Sequence, residues 1–182
     1  RDIYTTAIDY DKNSDTAQLF FKKVQNKMLW AITGKTAAEL IDSRSNPDKQ
    51  NMGLTSWRGS IVRKYDVAIA KNYPNEAEIK DLNEIVTMYL DYAERQARKR
   101  RTVTMREWAE KLDTFLEQNE EDLLTHAGKV KAEVAKKIAE ERYEIFDKKR
   151  KKAEALAADE EDFKEIENLK REITENLDEK DK

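Results

Sequence analysis

One stretch constrains this chain more than any other. Asn75 to Arg101 reads as a long amphipathic helix with both of its ends encoded. Ile79, Leu82, Val86, Tyr89 and Ala93 recur at steps of three and four, one stripe of a 3.6-residue helix. Ile85, Met88 and Leu90 widen the stripe, so neighbours are expected on more than one side. Pro74 fixes φ just before the start. Asn75 is placed to cap the first turn, and Glu78 completes a capping box three residues on. Glu76 and Glu78 lie at the positive end of the helix dipole; Arg95, Arg98, Lys99, Arg100 and Arg101 lie at the negative end. A helix of this kind serves as the central strut of an all-α domain.

The rest of the chain agrees with that class. Only four Gly and two Pro interrupt 182 residues, which favours few, long elements. The 40% charged content suits helices with solvated faces. Residues 1–8, with Ile3, Tyr4 and Ile8, read as the tail of a helix. A core helix is expected from Ser14 or Asp15, buried through Ala17, Phe20, Phe21, Val24, Met28, Ala31 and Ile32. Gly34 stops it in the left-handed region, and Thr36 with Glu39 forms a capping box for a short helix from Ala37 to Ser43. Asp66 caps another short helix through Tyr73. Thr104 and Glu107 open a helix striped by Met105, Trp108, Ala109, Leu112, Phe115 and Leu116, antiparallel to the strut because the connection is short.

A long helix follows from Lys129 to Ala157, with Val130, Val134 and Ile138 on its first turns. Ala158 to Glu160 reads as a hinge, and a last helix carries Phe163, Ile166, Leu169, Ile173 and Leu177. These two form either a hairpin or one extended arm. The expected architecture is an all-α, bundle-like domain of seven or eight helices. Residues 1–128 form the core, and a charged arm, residues 129–182, packs on it or extends from it.

Composition removes several chemistries. There is no cysteine, hence no disulfide, thiolate nucleophile or thiolate metal site. His126 is the single histidine, without a second His or Cys for a zinc site. No apolar run approaches the ~20 residues that span a membrane. A net charge of −3 does not favour nucleic-acid binding by the whole surface. No cofactor is implied.

Gly34-Lys35-Thr36 resembles the end of a phosphate-binding P-loop, but the glycine that motif needs five residues earlier is Leu29, inside a helix. A helix stop followed by a cap explains it better. Arg95 to Arg101 and Lys148 to Lys152 are two basic clusters without interleaved aromatics, and read as solvated faces. The carboxylates form no distinct pair, and no nucleophile–base couple is legible, so the question of an enzyme stays open.

The segment Ser45 to Ser60 is the longest non-periodic stretch. Asn51, Ser56, Trp57 and Arg58 lie in it, with Lys71 and Asn72 close by in sequence. This mix suits ligand or partner recognition, or a loop pinned over the core by Trp57 and Leu54. With Asn26 and His126 they make up the candidate binding residues.

Several strings then resemble one family in order. VQNKMLWAITGKTAAELI (Val24 to Ile41), NMGLTSW (Asn51 to Trp57), DVAIAKNY (Asp66 to Tyr73) and LNEIVTMYLDYAE (Leu82 to Glu94) look like the C-terminal half of RhuM-type virulence proteins. MREWAEKLDTFL (Met105 to Leu116) and LLTHAGKV (Leu123 to Val130) extend the likeness, as does the opening IYTTAIDYD, for coverage of about residues 1–138. The resemblance implies a bacterial, cytoplasmic protein of mobile DNA with an upstream DNA-binding half, through which DNA would be a partner. A Fic-like label given to some relatives implies a His-Pro-Phe…Gly-Asn-Gly-Arg loop; here His126 is followed by Ala127-Gly128. The expected function is an interaction or oligomerisation module, with self-association or a protein partner and no membrane. The alternative is a toxin or effector domain with a polar site around residues 45–60.

Overall fold

The computed structural model describes residues 7–11, 13–99 and 103–180. Among them the architecture is all-α: α1 (Asp15–Thr33), α2 (Ala37–Arg44), α3 (Glu76–Arg98), α4 (Met105–Gln118) and α5 (Ala132–Lys180). Among the described residues, extended pairing is a single parallel bridge, Ala7 to Val103, with the Ile8 N–H donating to the Val103 carbonyl at 3.1 Å. At Ala7 and Ile8 the expected helix tail is therefore replaced by extended chain, and Ile8 is exposed. Ile3 and Tyr4 lie outside the described residues. No helix among the described residues is long and apolar enough to cross a membrane.

The helix starts form where local chemistry puts them. Ser14, Thr36, Asn75 and Thr104 each accept a backbone N–H of the first turn, and the last three form reciprocal capping boxes with Glu39, Glu78 and Glu107. Gly34 ends α1 at φ 62°, a conformation that carries no steric cost in glycine. The P-loop-like Gly34-Lys35-Thr36 is thus a stop followed by a cap.

Two buried clusters form the core. In one, Met28 of α1 meets Ile85, Tyr89 and Ala93 of α3 and Trp108, Leu112, Phe115 and Leu116 of α4. In the other, Leu29 of α1 meets Leu40 and Ile41 of α2, then Met52, Val67 and Tyr73, and finally Ala135 and Ala139 of α5. Adjacent residues of α1 thus serve opposite clusters. α1 packs against α2, α3 and α4, so it rather than α3 is the hub. Of the three residues that widen the stripe of α3, Ile85 is buried in the first cluster, whereas Met88 and Leu90 are exposed.

Three other expectations are revised. Residues 66–73 form two short 3₁₀ turns, Asp66–Ala68 and Ala70–Asn72, separated by extended Ile69, instead of one α-helix. The hinge at Ala158 to Glu160 is absent, because α5 runs unbroken through it, so the C-terminal segment is an arm and not a hairpin. Among the described residues there are five α-helices where seven or eight are expected. Finally, α5 docks on α2 and on the Asp66–Ala68 turn through Ala135, Ala139, Tyr143 and Phe146, while Val134 points to solvent. Two alanines one turn apart let the helix backbones approach closely, and the bulkier Val134 lies one residue out of phase.

Candidate functional site

The polar residues singled out in the sequence fall into two neighbourhoods. The first is the loop after α2. It turns back through three consecutive left-handed residues, Asn51 (φ 51°), Met52 (φ 59°) and Gly53 (φ 81°). This conformation is costly for Met52, and full burial of its side chain holds it in place. Asn51 tolerates the same region through its short polar side chain. At Gly53 a Cβ would lie 2.5 Å from the Arg44 carbonyl oxygen, so the loop presses on the end of α2 where only glycine fits.

Beyond this turn, Asp66 gathers the chain. It is 1% exposed, and its carboxylate accepts the N–H groups of Arg63 at 2.9 Å and Arg58 at 3.5 Å. The Asn72 side chain donates to the Asp66 carbonyl at 3.0 Å. The Asn72 carbonyl accepts the N–H groups of Thr55 at 2.8 Å and Ser56 at 3.3 Å. The Thr55 hydroxyl donates to the Pro74 carbonyl at 2.6 Å. Tyr73 is buried beneath, donating to the Val67 carbonyl at 2.8 Å, and burial pushes its phenol far above its ordinary pKa. Asn72 is therefore an internal tie and Trp57 is half-buried against the second cluster, whereas Ser56, Arg58 and Lys71 are exposed at the edge of the knot. Asp66 and Thr55, which hold the loop, were not among the candidate residues. Their partners are backbone groups of distant segments, which no local spacing reveals.

Arg44 locks this knot to α3. Its guanidinium forks onto Glu78 with two contacts of 2.5 Å and also donates to the Tyr73 carbonyl at 3.0 Å. The hydrogen bond from Arg44 holds the Glu78 carboxyl below its ordinary value of 4.5, against a smaller opposing effect of burial. A folded-state pKa below the unfolded one stabilises above the unfolded value, and that stability is lost as pH falls through the folded value. Glu78→Gln should therefore be less stable than the parent at neutral pH, and the gap should close as pH drops below 4.5. Urea unfolding across pH measures this; a gap that stays constant with pH would exclude Glu78 as its source.

The second neighbourhood lies where α1, α2 and the segment before α5 converge. Asn26 accepts the Ala37 N–H at 3.0 Å, tying α1 to the start of α2. His126 accepts the Gly128 N–H on Nδ1 at 3.0 Å and sets its ring edge on Trp30, centroids 4.7 Å apart. Glu39 caps α2 and accepts the Lys129 N–H at 2.7 Å. Burial raises the Glu39 carboxyl, but the Lys129 and Thr36 amides and the Thr36 hydroxyl outweigh it and hold it below its ordinary value. Between these residues runs an open groove of about 270 Å³, lined by Trp30, Lys35, Glu39, Asp42, Ser43 and Lys129 among others. The candidate residues thus divide: Asn51, Ser56, Trp57, Arg58, Lys71 and Asn72 share the knot, while Asn26 and His126 sit near the groove.

Three members of the second basic cluster are held in ion pairs. Asp147 holds Arg150 and Lys151, Glu154 also holds Arg150, and Asp48 holds Lys149. The first is described only up to Lys99, where Arg98 pairs with Glu94. Among the described residues, no three His, Cys, Asp or Glu side chains converge as a metal site requires. No curated protein and no solved structure matches the chain. The family comparison does find a match, and it spans the two clusters, the knot, the groove and the docked turns of α5: over residues 1–154 the chain belongs to the virulence protein RhuM family.

Proposed function

We propose that this chain is a protein-interaction and self-association module. One observation carries the reading. α5 leaves the body after its docked turns, and residues 151–171 are all exposed. On that free stretch Leu156, Phe163, Ile166 and Leu169 are each more than half exposed. A protruding helix lacks the tertiary packing that normally stabilises helices, and a row of bare apolar side chains is unfavourable in water. A partner on that face answers both. This stretch begins near the end of the family match at residue 154, so the proposal rests on this chain's own residues.

The competing reading is an effector site at the 45–60 loop, built on exposed Ser56, Arg58 and Lys71. It is the weaker of the two, because the polar groups beside them hold the loop together. Sedimentation equilibrium tests the favoured reading. The 21.3 kDa chain should sediment at a multiple of its mass at micromolar concentration, and a Phe163→Asp/Ile166→Asp variant as a monomer. A monomeric parent across that range would overturn the proposal.

A further inference from the structure

We infer that the segment from Trp57 to Tyr65 is a binding surface for single-stranded nucleic acid. This goes beyond the self-association of the arm and does not depend on it. The clusters at Arg95 to Arg101 and Lys148 to Lys152 carry cations without aromatics, whereas Trp57-Arg58-Gly59-Ser60-Ile61-Val62-Arg63-Lys64-Tyr65 carries both. From Lys49 to Asn75 there are five cations, Lys49, Arg58, Arg63, Lys64 and Lys71, and one acid, Asp66. Over the whole chain acids outnumber lysines and arginines by 38 to 35, so this segment departs from its surroundings.

The one acid is withdrawn from solvent. Asp66 is buried, and its two carboxylate oxygens accept the backbone N–H groups of Arg58 and Arg63, one each. The same two bonds close the chain between the arginines into a loop and fix where both side chains leave it. Both side chains are exposed, and neither has an ion pair among the described residues. Gly59, in that loop, has φ 88°, and a Cβ there would meet nothing within 4 Å, so the loop is open to approach. The N–H groups of Gly59, Ser60 and Ile61 make no hydrogen bond among the described residues, which leaves further donors for phosphate oxygens.

The rings decide which polyanion fits. Tyr65 is exposed, and Trp57 is half-buried with its packing against the second cluster holding it in place. Cations alone suit any phosphate. Exposed rings beside them favour unpaired bases, whose faces are open to stacking only outside a duplex. Lys64 pairs with Glu144 of α5 at 2.9 Å, so the basic surface ends where α5 passes.

Anisotropy of a fluorescein-labelled, mixed-sequence strand of about 12 nucleotides, titrated with the full chain, tests this. The strand is offered as DNA and as RNA, at salt from about 50 to about 200 mM. Both strands should bind in the micromolar range at low salt. Tyr65→Ala should weaken binding about tenfold without changing the salt dependence, and Tyr65→Phe should retain it. Arg58→Gln/Arg63→Gln should weaken binding and flatten the log–log salt slope by about 1.4, or about 0.7 for each lost phosphate contact. The bonds to Asp66 come from backbone N–H groups, so these substitutions spare the loop, as circular dichroism would verify. The labelled duplex and vesicles containing phosphatidylserine are the alternatives. A duplex bound as tightly as the strand, or a Tyr65→Ala variant that binds like the parent, would overturn the proposal. Vesicle binding without strand binding would overturn it in favour of a membrane surface. So would a parent that binds no strand, or a double glutamine variant with unchanged affinity and slope. None of these results bears on the mass of the chain in solution, so the arm is judged separately by sedimentation.

Discussion

Trp108→Ala should cost about 4 kcal/mol of folding stability, the largest loss expected from any single truncation in this chain. Trp108 is fully buried in the α1–α3–α4 cluster, which it shares with Met28, Ile85, Leu112 and Leu116. Its indole fills space that rigid helices on each side cannot close. The Tyr89 hydroxyl donates to the Trp108 backbone carbonyl at 3.2 Å, so α3 and α4 keep this tie in the variant and the loss is one of packing. Against a typical total of about 5–15 kcal/mol, the variant should be partly unfolded at moderate temperature. Urea denaturation beside Leu19→Ala, whose side chain is exposed, provides the measure. A loss no larger than that of the Leu19 variant would mean that the cluster does not hold the body together.

Arg142→Ala should have the next largest effect, about 2 kcal/mol, because one guanidinium from α5 closes the C-terminus of α2. It donates to the carbonyls of Asp42 at 2.5 Å and Ser45 at 3.0 Å and to the Ser45 hydroxyl at 2.8 Å. The last carbonyls of a helix have no partner within the helix, and a cation there is also favoured by the dipole. Arg142→Met keeps the apolar stem and isolates the hydrogen bonds. Both variants should speed amide exchange in α5 from residue 135 to 146 while α3 and α4 stay protected. A change as small as an ordinary surface substitution, with no local loosening, would refute the clamp.

What was legible in the sequence is what is local. The caps at Ser14, Thr36, Asn75 and Thr104 each involve residues three apart, so spacing alone identifies them. The stripe of α4 was equally clear, because Trp108, Leu112, Phe115 and Leu116 are bulky and periodic. The docking of α5 was not. Besides Tyr143 and Phe146, it depends on Ala135 and Ala139, whose small size leaves no apolar signal, and on Arg142, whose partners lie almost a hundred residues away. Of the three residues that carried the signal, Val134 faces water, Ile138 is half-buried, and Val130 packs against the second cluster just before the helix begins. The same reason divides the candidate site. Asn26 and Asn72 have the side chains of binding residues, but here they satisfy backbone groups at Ala37 and Asp66. Nothing local separates an amide that ties two segments from one that awaits a ligand. Asp66 itself read as a helix cap and is instead the pin of a folded loop.

The Arg142 clamp also acts as a fulcrum. From Lys149, the last residue that the body holds, to Lys180 the helix extends about 46 Å, so a tilt of about 5° at the root moves the far end by about 4 Å. The aim of the arm is set at its root, where Ala135, Ala139, Arg142, Tyr143, Phe146 and Lys149 hold α5 to the body. Substitutions far from the tip would then redirect whatever the tip engages, and a small effector that pried at the end of α2 would be read out, magnified, tens of ångströms away.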